Sequence, residues 1–131
     1  MKESSNYIEL TDLEVYQLAR KLSKIAWNIY DKMNWQERKI IGDQFIESTD
    51  SIGANIAEGY GRYHYLDRIR FYYNSRASYF EAGKHWIELL YERKKIEKDI
   101  YDLYVKTGKD FLVKFNNFIS STYKAKHLPF G

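Results

Sequence analysis

The sequence predicts an all-α fold, an antiparallel up-down-up-down four-helix bundle that forms a single domain over residues 1–131. Apolar residues recur at spacings of three and four along four long stretches, which is the period of amphipathic helices. No stretch alternates apolar and polar residues as a half-buried strand does. Proline occurs only at Pro129, so the chain before it can form long, unbroken helices. Short connections between such helices make neighbours antiparallel.

Capping signals mark where the first two helices begin. Thr11 with Glu14, and Asn34 with Glu37, have the spacing of a capping box, in which side-chain and backbone groups three residues apart satisfy each other. The four helices are expected at residues 12–33, 35–60, 65–94 and 97–122, followed by a flexible tail at 123–131.

Two glycines and one apolar series indicate how helix 2 ends and how helix 3 packs. Gly59 and Gly61 predict a left-handed C-cap for helix 2, a conformation that glycine adopts without strain. The residues of helix 3 that are expected to face the core are Ile69, Tyr73, Phe80, Ile87 and Leu90.

The bulk composition is that of a globular, soluble protein. Hydrophobic residues make up 44% of the 131 residues and charged residues 30%, so the chain can bury a sizeable core. Cysteine is absent, which excludes disulfides and thiolate chemistry and favours a cytoplasmic location. The N-terminal residues lack the apolar segment of a signal peptide, and no apolar run approaches the ~20 residues that span a bilayer. No membrane partner is therefore expected.

The net charge of +3 is small, but its distribution along the chain is uneven. Residues 34–62 contain three Lys and Arg against five Asp and Glu, a net charge of −2. Residues 63–95 contain seven against four, a net charge of +3. A basic surface should therefore come mainly from the second half of the chain.

No residue pattern indicates an enzyme, a metal site or a cofactor. Di-iron bundles need a Glu-x-x-His motif on each of two helices, whereas Glu81 and His85 form a single helical pair. Gly59 and Gly61 follow a helix rather than a strand, so they do not form a phosphate-binding loop. We therefore expect a binding protein with no catalytic residue.

Tyrosine and arginine are concentrated around the connection between helices 2 and 3. Aromatic rings with interleaved arginines can stack nucleic-acid bases and hold phosphates. Tyrosine and arginine are also enriched where subunits meet, and from composition alone we favour a subunit interface over nucleic acid.

Helix 2 carries a series of polar side chains on one face. Ser51, Asn55, Glu58 and Arg62 are spaced four, three and four residues apart, which aligns them on a helix. They could line a functional cleft, but a structural network with helix 3 is the favoured interpretation. The residues assigned to this network are Ser51, Asn55, Glu58, Ser78 and Glu81.

Two segments resemble a known bacterial family. Residues 51–59, Ser-Ile-x-x-Asn-Ile-x-Glu-Gly, are similar to the helix-2 motif of the proteins encoded by intervening sequences in 23S ribosomal RNA genes. Residues 76–81, Arg-Ala-Ser-Tyr-Phe-Glu, are similar to that family's Arg-Gly-Ser-x-x-Glu on helix 3, and Gln44 falls where the family tends to have glutamine. The resemblance covers residues 12–120.

The resemblance implies an antiparallel four-helix bundle that assembles as a homo-oligomer, a pentameric ring, with a basic surface for RNA or DNA. It also implies no enzymatic activity and, in relatives from diversity-generating retroelements, service as an accessory factor of a reverse transcriptase. The alternative function is accordingly a scaffold or adaptor that binds another protein.

This chain departs from the family pattern on helix 2. Glu47 stands where the family usually has arginine, and Asp50 adds a second acid. Trp35 replaces a proline, and Ala77 replaces the glycine of helix 3. Because helix 2 is acidic, nucleic-acid contacts are expected from the turn after it and from helix 3. The nucleic-acid-binding candidates are Arg62, Arg68, Arg70, Arg76 and Lys84.

Overall fold

The computed structural model describes residues 8–125, which form four long helices and no strand. A short 3-10 turn, Leu10–Asp12, precedes the first of these helices. Helices α2 and α3 are each continuous, although each contains a π turn, at Arg38–Gly42 in α2 and at Ala82–Trp86 in α3. The helices are α1 (Glu14–Asp31), α2 (residues 35–60), α3 (residues 65–92) and α4 (Lys98–Lys124).

The four helices surround one core and confirm the predicted antiparallel bundle. Helix α1 packs against α2 and α4, and α3 also packs against α2 and α4. A hydroxyl pair crosses the core diagonally, because Thr49 Oγ1 on α2 lies 2.8 Å from Tyr104 Oη on α4. Burial raises the pKa of the Tyr104 phenol. The largest buried aromatic residues are Phe45, Tyr72, Tyr79, Tyr104, Phe111 and Phe115.

The start of α1 differs from the predicted capping box. The N-cap is Leu13, which is buried and has an extended backbone, and it provides no side-chain cap. Thr11 lies in the 3-10 turn, where its carbonyl accepts a hydrogen bond from Gln17 Nε2 at 3.0 Å. The Glu14 carboxylate does not return to the N-cap but forms an ion pair with Lys114 on α4. Helix α1 therefore begins after an extended, buried N-cap residue and not at a capping box.

The start of α2 confirms the second predicted capping box. Asn34 Oδ1 accepts from the Glu37 backbone N–H at 2.9 Å, and Glu37 Oε1 accepts from the Asn34 N–H at 3.0 Å. The second oxygen of Glu37 pairs with Lys95 Nζ at 3.0 Å, which links the α1–α2 connection to the end of α3. The hydrogen bond from the Asn34 backbone, with help from Lys95, lowers the pKa of Glu37.

The end of α2 is right-handed, so the prediction of a left-handed glycine cap is wrong. Gly61, the C-cap, has φ −79° and ψ −8°, and no glycine of the described residues has a positive φ. Gly59 has a packing role instead. A Cβ added there would lie 2.8 Å from the Tyr72 ring and 2.9 Å from Phe71 Cβ. The absence of a side chain at Gly59 thus allows α2 and α3 to approach each other closely.

The prediction that Tyr73 and Phe80 of α3 face the core is wrong. These side chains are 46% and 39% exposed, whereas Tyr72 and Tyr79 are buried. A π turn contains one residue more than an α turn, so it shifts the phase of the residues that follow it. The turn at residues 82–86 therefore lets Tyr79 and Ile87, eight residues apart, both face the core.

Helix α3 ends at Glu92 rather than at the expected Lys94. Lys94 adopts the left-handed conformation with φ 59°, where glycine is the usual residue. The Lys95 N–H donates to the Leu90 carbonyl at 2.8 Å, and the Lys94 N–H donates to the Tyr91 carbonyl at 3.0 Å. These two bonds form a Schellman motif that satisfies the last carbonyls of α3.

Helix α4 extends two residues beyond the expected bound of 122, since its last residue is Lys124. Its buried residues continue the expected period of three and four. Ala125 is the C-cap of this helix. Of the tail expected at 123–131, residues 126–131 lie outside the described residues.

Candidate nucleic-acid interface

The connection between α2 and α3 is compact and held by backbone contacts. The Arg62 N–H donates to the Gly59 carbonyl at 3.0 Å. Arg68 Nε on the first turn of α3 donates to the Arg62 carbonyl at 2.6 Å. The Arg68 side chain is therefore used partly to hold the connection together, and it fixes the position of Arg62.

Two guanidinium groups lie over one aromatic ring at this connection. The Cζ atoms of Arg62 and Arg70 are 4.8 and 4.9 Å from the centroid of the Phe71 ring, within the range of cation–π attraction. Arg62 also pairs with Glu58 at 2.7 Å, and Arg70 pairs with Asp67 at 3.6 Å. We call Arg62, Arg70 and Phe71 the turn cluster.

An exposed aromatic residue adjoins the turn cluster. The side chain of Tyr63 is 64% exposed, and its ring meets the His64 ring edge-on at 5.1 Å. Tyr63 follows Arg62 directly in the chain, and its ring offers an apolar face to the solvent. Cations next to an exposed ring can hold phosphates while a base stacks.

The remaining two basic candidates, Arg76 and Lys84, lie further along α3. The Arg76 guanidinium is 5.1 Å from the Phe80 ring, and its Nε is buried without a hydrogen-bond acceptor among the described residues. Lys84 is exposed in the π turn, fourteen positions after Arg70 and thus ~21 Å along the helix axis. The structure therefore brings together Arg62, Arg68 and Arg70, and it separates Arg76 and Lys84 from them.

The polar residues of α2 satisfy themselves within their own helix. Ser51 Oγ donates to the Glu47 carbonyl at 2.8 Å, and Asn55 Nδ2 donates to the Ser51 carbonyl at 2.9 Å. Glu58 pairs with Arg62 four residues later. Serine and asparagine on a helix commonly bond to the carbonyl one turn before. Among the described residues, no side-chain hydrogen bond of Ser51, Asn55 or Glu58 reaches α3.

The partners expected on α3 are equally local. Glu81 is exposed and its Oε2 accepts from Trp86 Nε1 at 2.9 Å, while the Ser78 side chain forms no hydrogen bond among the described residues. A buried polar link between α2 and α3 does exist elsewhere, because Ser75 Oγ donates to the Ile52 carbonyl at 2.7 Å. Ser75 lies three residues after Tyr72, on the buried side of α3. The helical spacing from Tyr72 is the sequence signal that would have identified Ser75 as a buried polar residue.

Neither a metal site nor a membrane span is found within residues 8–125. No group of three or more His, Asp or Glu side chains of this region is placed to hold an ion. None of the helices in the same region is both long and apolar enough to cross a bilayer.

The family model of the 23S rRNA-intervening sequence proteins matches residues 11–112. This match spans most of the chain, from the turn before α1 into α4. The chain belongs to this family. The resemblance of the helix-2 and helix-3 motifs is thereby confirmed, and both motifs lie inside the matched region. No curated protein matches the chain closely enough to serve as a relative. As a 23S rRNA-intervening sequence protein, the chain is placed in a family whose description names no reaction.

Proposed function

We propose that this family member is a non-enzymatic, homo-oligomeric helical bundle that binds nucleic acid, RNA in the first place, at the connection between α2 and α3. The observation that supports this proposal is the turn cluster, in which Arg62 and Arg70 share the Phe71 ring, together with the exposed Tyr63 that follows Arg62 in the chain. Arg68 supports the same connection through the Arg62 carbonyl.

The ion pairs of the turn cluster can give way to phosphates. The Arg62 and Glu58 side chains are 43% and 53% exposed, and those of Arg70 and Asp67 are 63% and 43% exposed. Exposed ion pairs contribute about 0–1 kcal/mol, so exchanging a carboxylate for a phosphate costs little. A base stacked on Tyr63 would add about 1–3 kcal/mol. Single-stranded nucleic acid suits this combination, because its bases are free to stack.

The surrounding charge limits where nucleic acid can approach. The exposed side of α2 carries Asp43, Glu47 and Asp50, which repel phosphates. Glu58 and Asp67 also reduce the net charge of the turn cluster itself. Binding is therefore expected to be of moderate strength, local to the connection and strongly dependent on salt.

The test is fluorescence anisotropy with labelled single-stranded RNA over a series of salt concentrations. Arg62→Glu with Arg70→Glu is expected to weaken binding by about tenfold or more. It should also reduce the salt slope by about 1.4, since each phosphate contact on a single strand contributes about 0.7. Tyr63→Ala should weaken binding without changing that slope.

A matched control separates a local site from general charge. Arg93→Glu with Lys98→Glu makes the same change in net charge at the opposite end of the bundle, and Lys98 is ion-paired with Asp102 much as Arg62 is with Glu58. The control variant should bind RNA with close to wild-type affinity. Equal losses in both variants, or no binding by the wild type at low salt, would reject the proposed site.

A scaffold or adaptor that binds another protein is the second candidate function. It is favoured by an exposed series on α3, in which Leu66, Tyr73 and Phe80 recur every seven residues. Aromatic residues with neighbouring arginine are typical of protein interfaces. A pulldown from source cells compares the wild type with Tyr73→Glu. The scaffold function predicts a protein that the wild type captures and the variant does not.

A further inference from the structure

One side of α3 has the spacing of a helix-packing surface that the chain itself leaves open. Leu66, Tyr73 and Phe80 are 61%, 46% and 39% exposed. The exposed residues Ala77 and Lys84 continue this line at spacings of four from Tyr73 and Phe80. Alternate spacings of three and four are those of a coiled-coil contact, in which a second helix packs along the line. We call these five residues the α3 seam.

Arg76, next to the α3 seam, lacks an acceptor for its hydrogen bonds. Its guanidinium lies over Phe80, and it forms neither an ion pair nor a hydrogen bond within residues 8–125. A buried N–H without an acceptor carries a desolvation cost that no hydrogen bond offsets. Carboxylates are the acceptors that guanidinium groups bind most strongly among protein side chains. A partner that covers the seam would therefore be favoured if it brought a carboxylate to this position.

The exposed side of α2 has the complementary character. Ile40, Asp43, Glu47, Asp50 and Ala54 are all exposed and are spaced three, four, three and four residues apart. Ile40 is 70% exposed. Neither Glu47 nor Asp50 forms an ion pair within the part of the chain that the structure describes. We call this line the α2 seam. It combines an apolar end, a small residue, the two acids without an ion pair, and Asp43, which accepts a hydrogen bond from Tyr30 Oη at 2.6 Å.

We propose that the α2 seam of one copy packs against the α3 seam of a second copy, with Glu47 and Asp50 facing Arg76 and Lys84. The inference rests on the homo-oligomer of the proposed function and names the surfaces that meet in it. The α-helical parts of the two seams, residues 43–54 and 66–80, share one period, and the acids of one match the cations of the other. Ala77 and Ala54 are small, which permits close approach of the helix axes.

A contact between two different surfaces is heterologous, so each copy keeps one unused seam for the next copy. Repetition of such a contact closes into a ring when the rotation permits and otherwise continues as a filament. The turn cluster adjoins this contact, because the exposed Arg70 falls between Leu66 and Tyr73 at spacings of four and three, while its guanidinium lies over Phe71. Assembly therefore removes Arg76 and Lys84 from the nucleic-acid site and leaves Arg62, Tyr63 and Arg68 accessible.

Charge reversal tests the pairing, with the mass in solution measured by light scattering after gel filtration. One variant carries Glu47→Lys and Asp50→Lys, and the second carries Arg76→Glu and Lys84→Glu. Each is expected to raise the dissociation constant of the assembly by about tenfold or more and so to release monomers. A control with Asp12→Lys and Glu92→Lys changes two exposed acids away from both seams and should keep the wild-type mass.

Rescue identifies the pairing specifically. In an equimolar mixture of the two reversed variants, the basic α2 seam of the first can pair with the acidic α3 seam of the second. The acidic α2 seam of the second can likewise pair with the basic α3 seam of the first, so larger assemblies should reappear. The fourfold variant, which swaps the charges of both seams in one chain, should assemble alone. Because Arg76→Glu could impair folding, Leu66→Gln with Ala77→Gln changes only exposed seam residues, and circular dichroism verifies its helices. This neutral variant should also release monomers.

The failures of the two proposals are distinguishable. A wild type that assembles, with a mass that all seam variants leave unchanged, overturns the seam pairing and keeps the homo-oligomer. A monomeric wild type overturns both the homo-oligomer and the seam pairing. The α3 seam would then be the binding surface for a different protein. RNA binding is measured separately, with Arg62→Glu and Tyr63→Ala, which lie outside both seams.

Discussion

Gly59 shows how one residue of the family-like motif determines the geometry of the candidate site. The residue lies at the end of α2, directly against Phe71 and Tyr72 of α3. Phe71 in turn carries the guanidinium groups of Arg62 and Arg70. The close approach at Gly59 therefore positions the ring on which the turn cluster is built. Gly59 suggested a helix end in the sequence, whereas in the structure it permits the short distance between α2 and α3.

Gly59→Ala is expected to destabilise the protein by about 1–3 kcal/mol, the usual cost of overpacking a fitted contact. Its added Cβ would lie within 3 Å of Phe71 and Tyr72, so α2 and α3 would have to separate. Gly61→Ala is the matched control, because the nearest atom to its Cβ, the Ala57 carbonyl oxygen, is 3.6 Å away. Urea unfolding measures both free energies. Equal losses at Gly59 and Gly61 would contradict the packing role.

The polar series on α2 shows why individual side-chain contacts were harder to predict than helices. Spacing placed Ser51, Asn55 and Glu58 on one face, and this was correct. It could not tell whether their hydrogen bonds cross to α3 or return to α2. The carbonyl one turn before is always within reach of serine or asparagine on a helix, so the local bond competes with any partner on α3. Arg62, Arg68 and Arg70 were easier, because one short connection brings them together.

At the scale of elements, unbroken periods were predictable and the π turn of α3 was not. Helix α4 has no π turn, and its buried Tyr104, Phe111 and Phe115 follow the expected spacing. In α3, counting back from Ile87 in α-helical steps leads to Phe80 and Tyr73, which are exposed. The extra residue of the π turn moves the buried positions to Tyr79 and Tyr72. The same shift exposes the seam that supports the inferred contact between copies.

The end of α3 provides a prediction for a whole helix terminus. Lys94 holds a left-handed conformation that costs a residue with a Cβ about 1 kcal/mol or more, whereas glycine adopts it freely. Lys94→Gly should therefore raise the free energy of unfolding by about 0.5–1 kcal/mol, with the Schellman bonds to Leu90 and Tyr91 intact. Arg93→Gly, one position earlier, is the control and should not stabilise. A lower melting temperature for Lys94→Gly would contradict this account.

At the scale of the whole molecule, charge is segregated between neighbouring helices. The exposed side of α2 is acidic, while the connection after it and α3 supply cations. A single copy therefore presents RNA with a small basic area bordered by acids. In the proposed assembly, pairing of the two seams would cover the α2 acids with cations of the next copy. The proposed assembly would thus lower the repulsion near each connection and place several turn clusters in one particle.

Loss of assembly should consequently weaken binding to long RNA much more than binding to short RNA. For an oligonucleotide of about 8 nucleotides, which occupies one site, Leu66→Gln with Ala77→Gln should leave the affinity nearly unchanged. For an RNA of about 40 nucleotides, which can reach several copies, the same variant should lose about tenfold to a hundredfold through lost multivalency. The substitutions are neutral, so net charge stays constant. Anisotropy titrations at one salt concentration measure both affinities, and equal changes for the two lengths would contradict cooperation between copies.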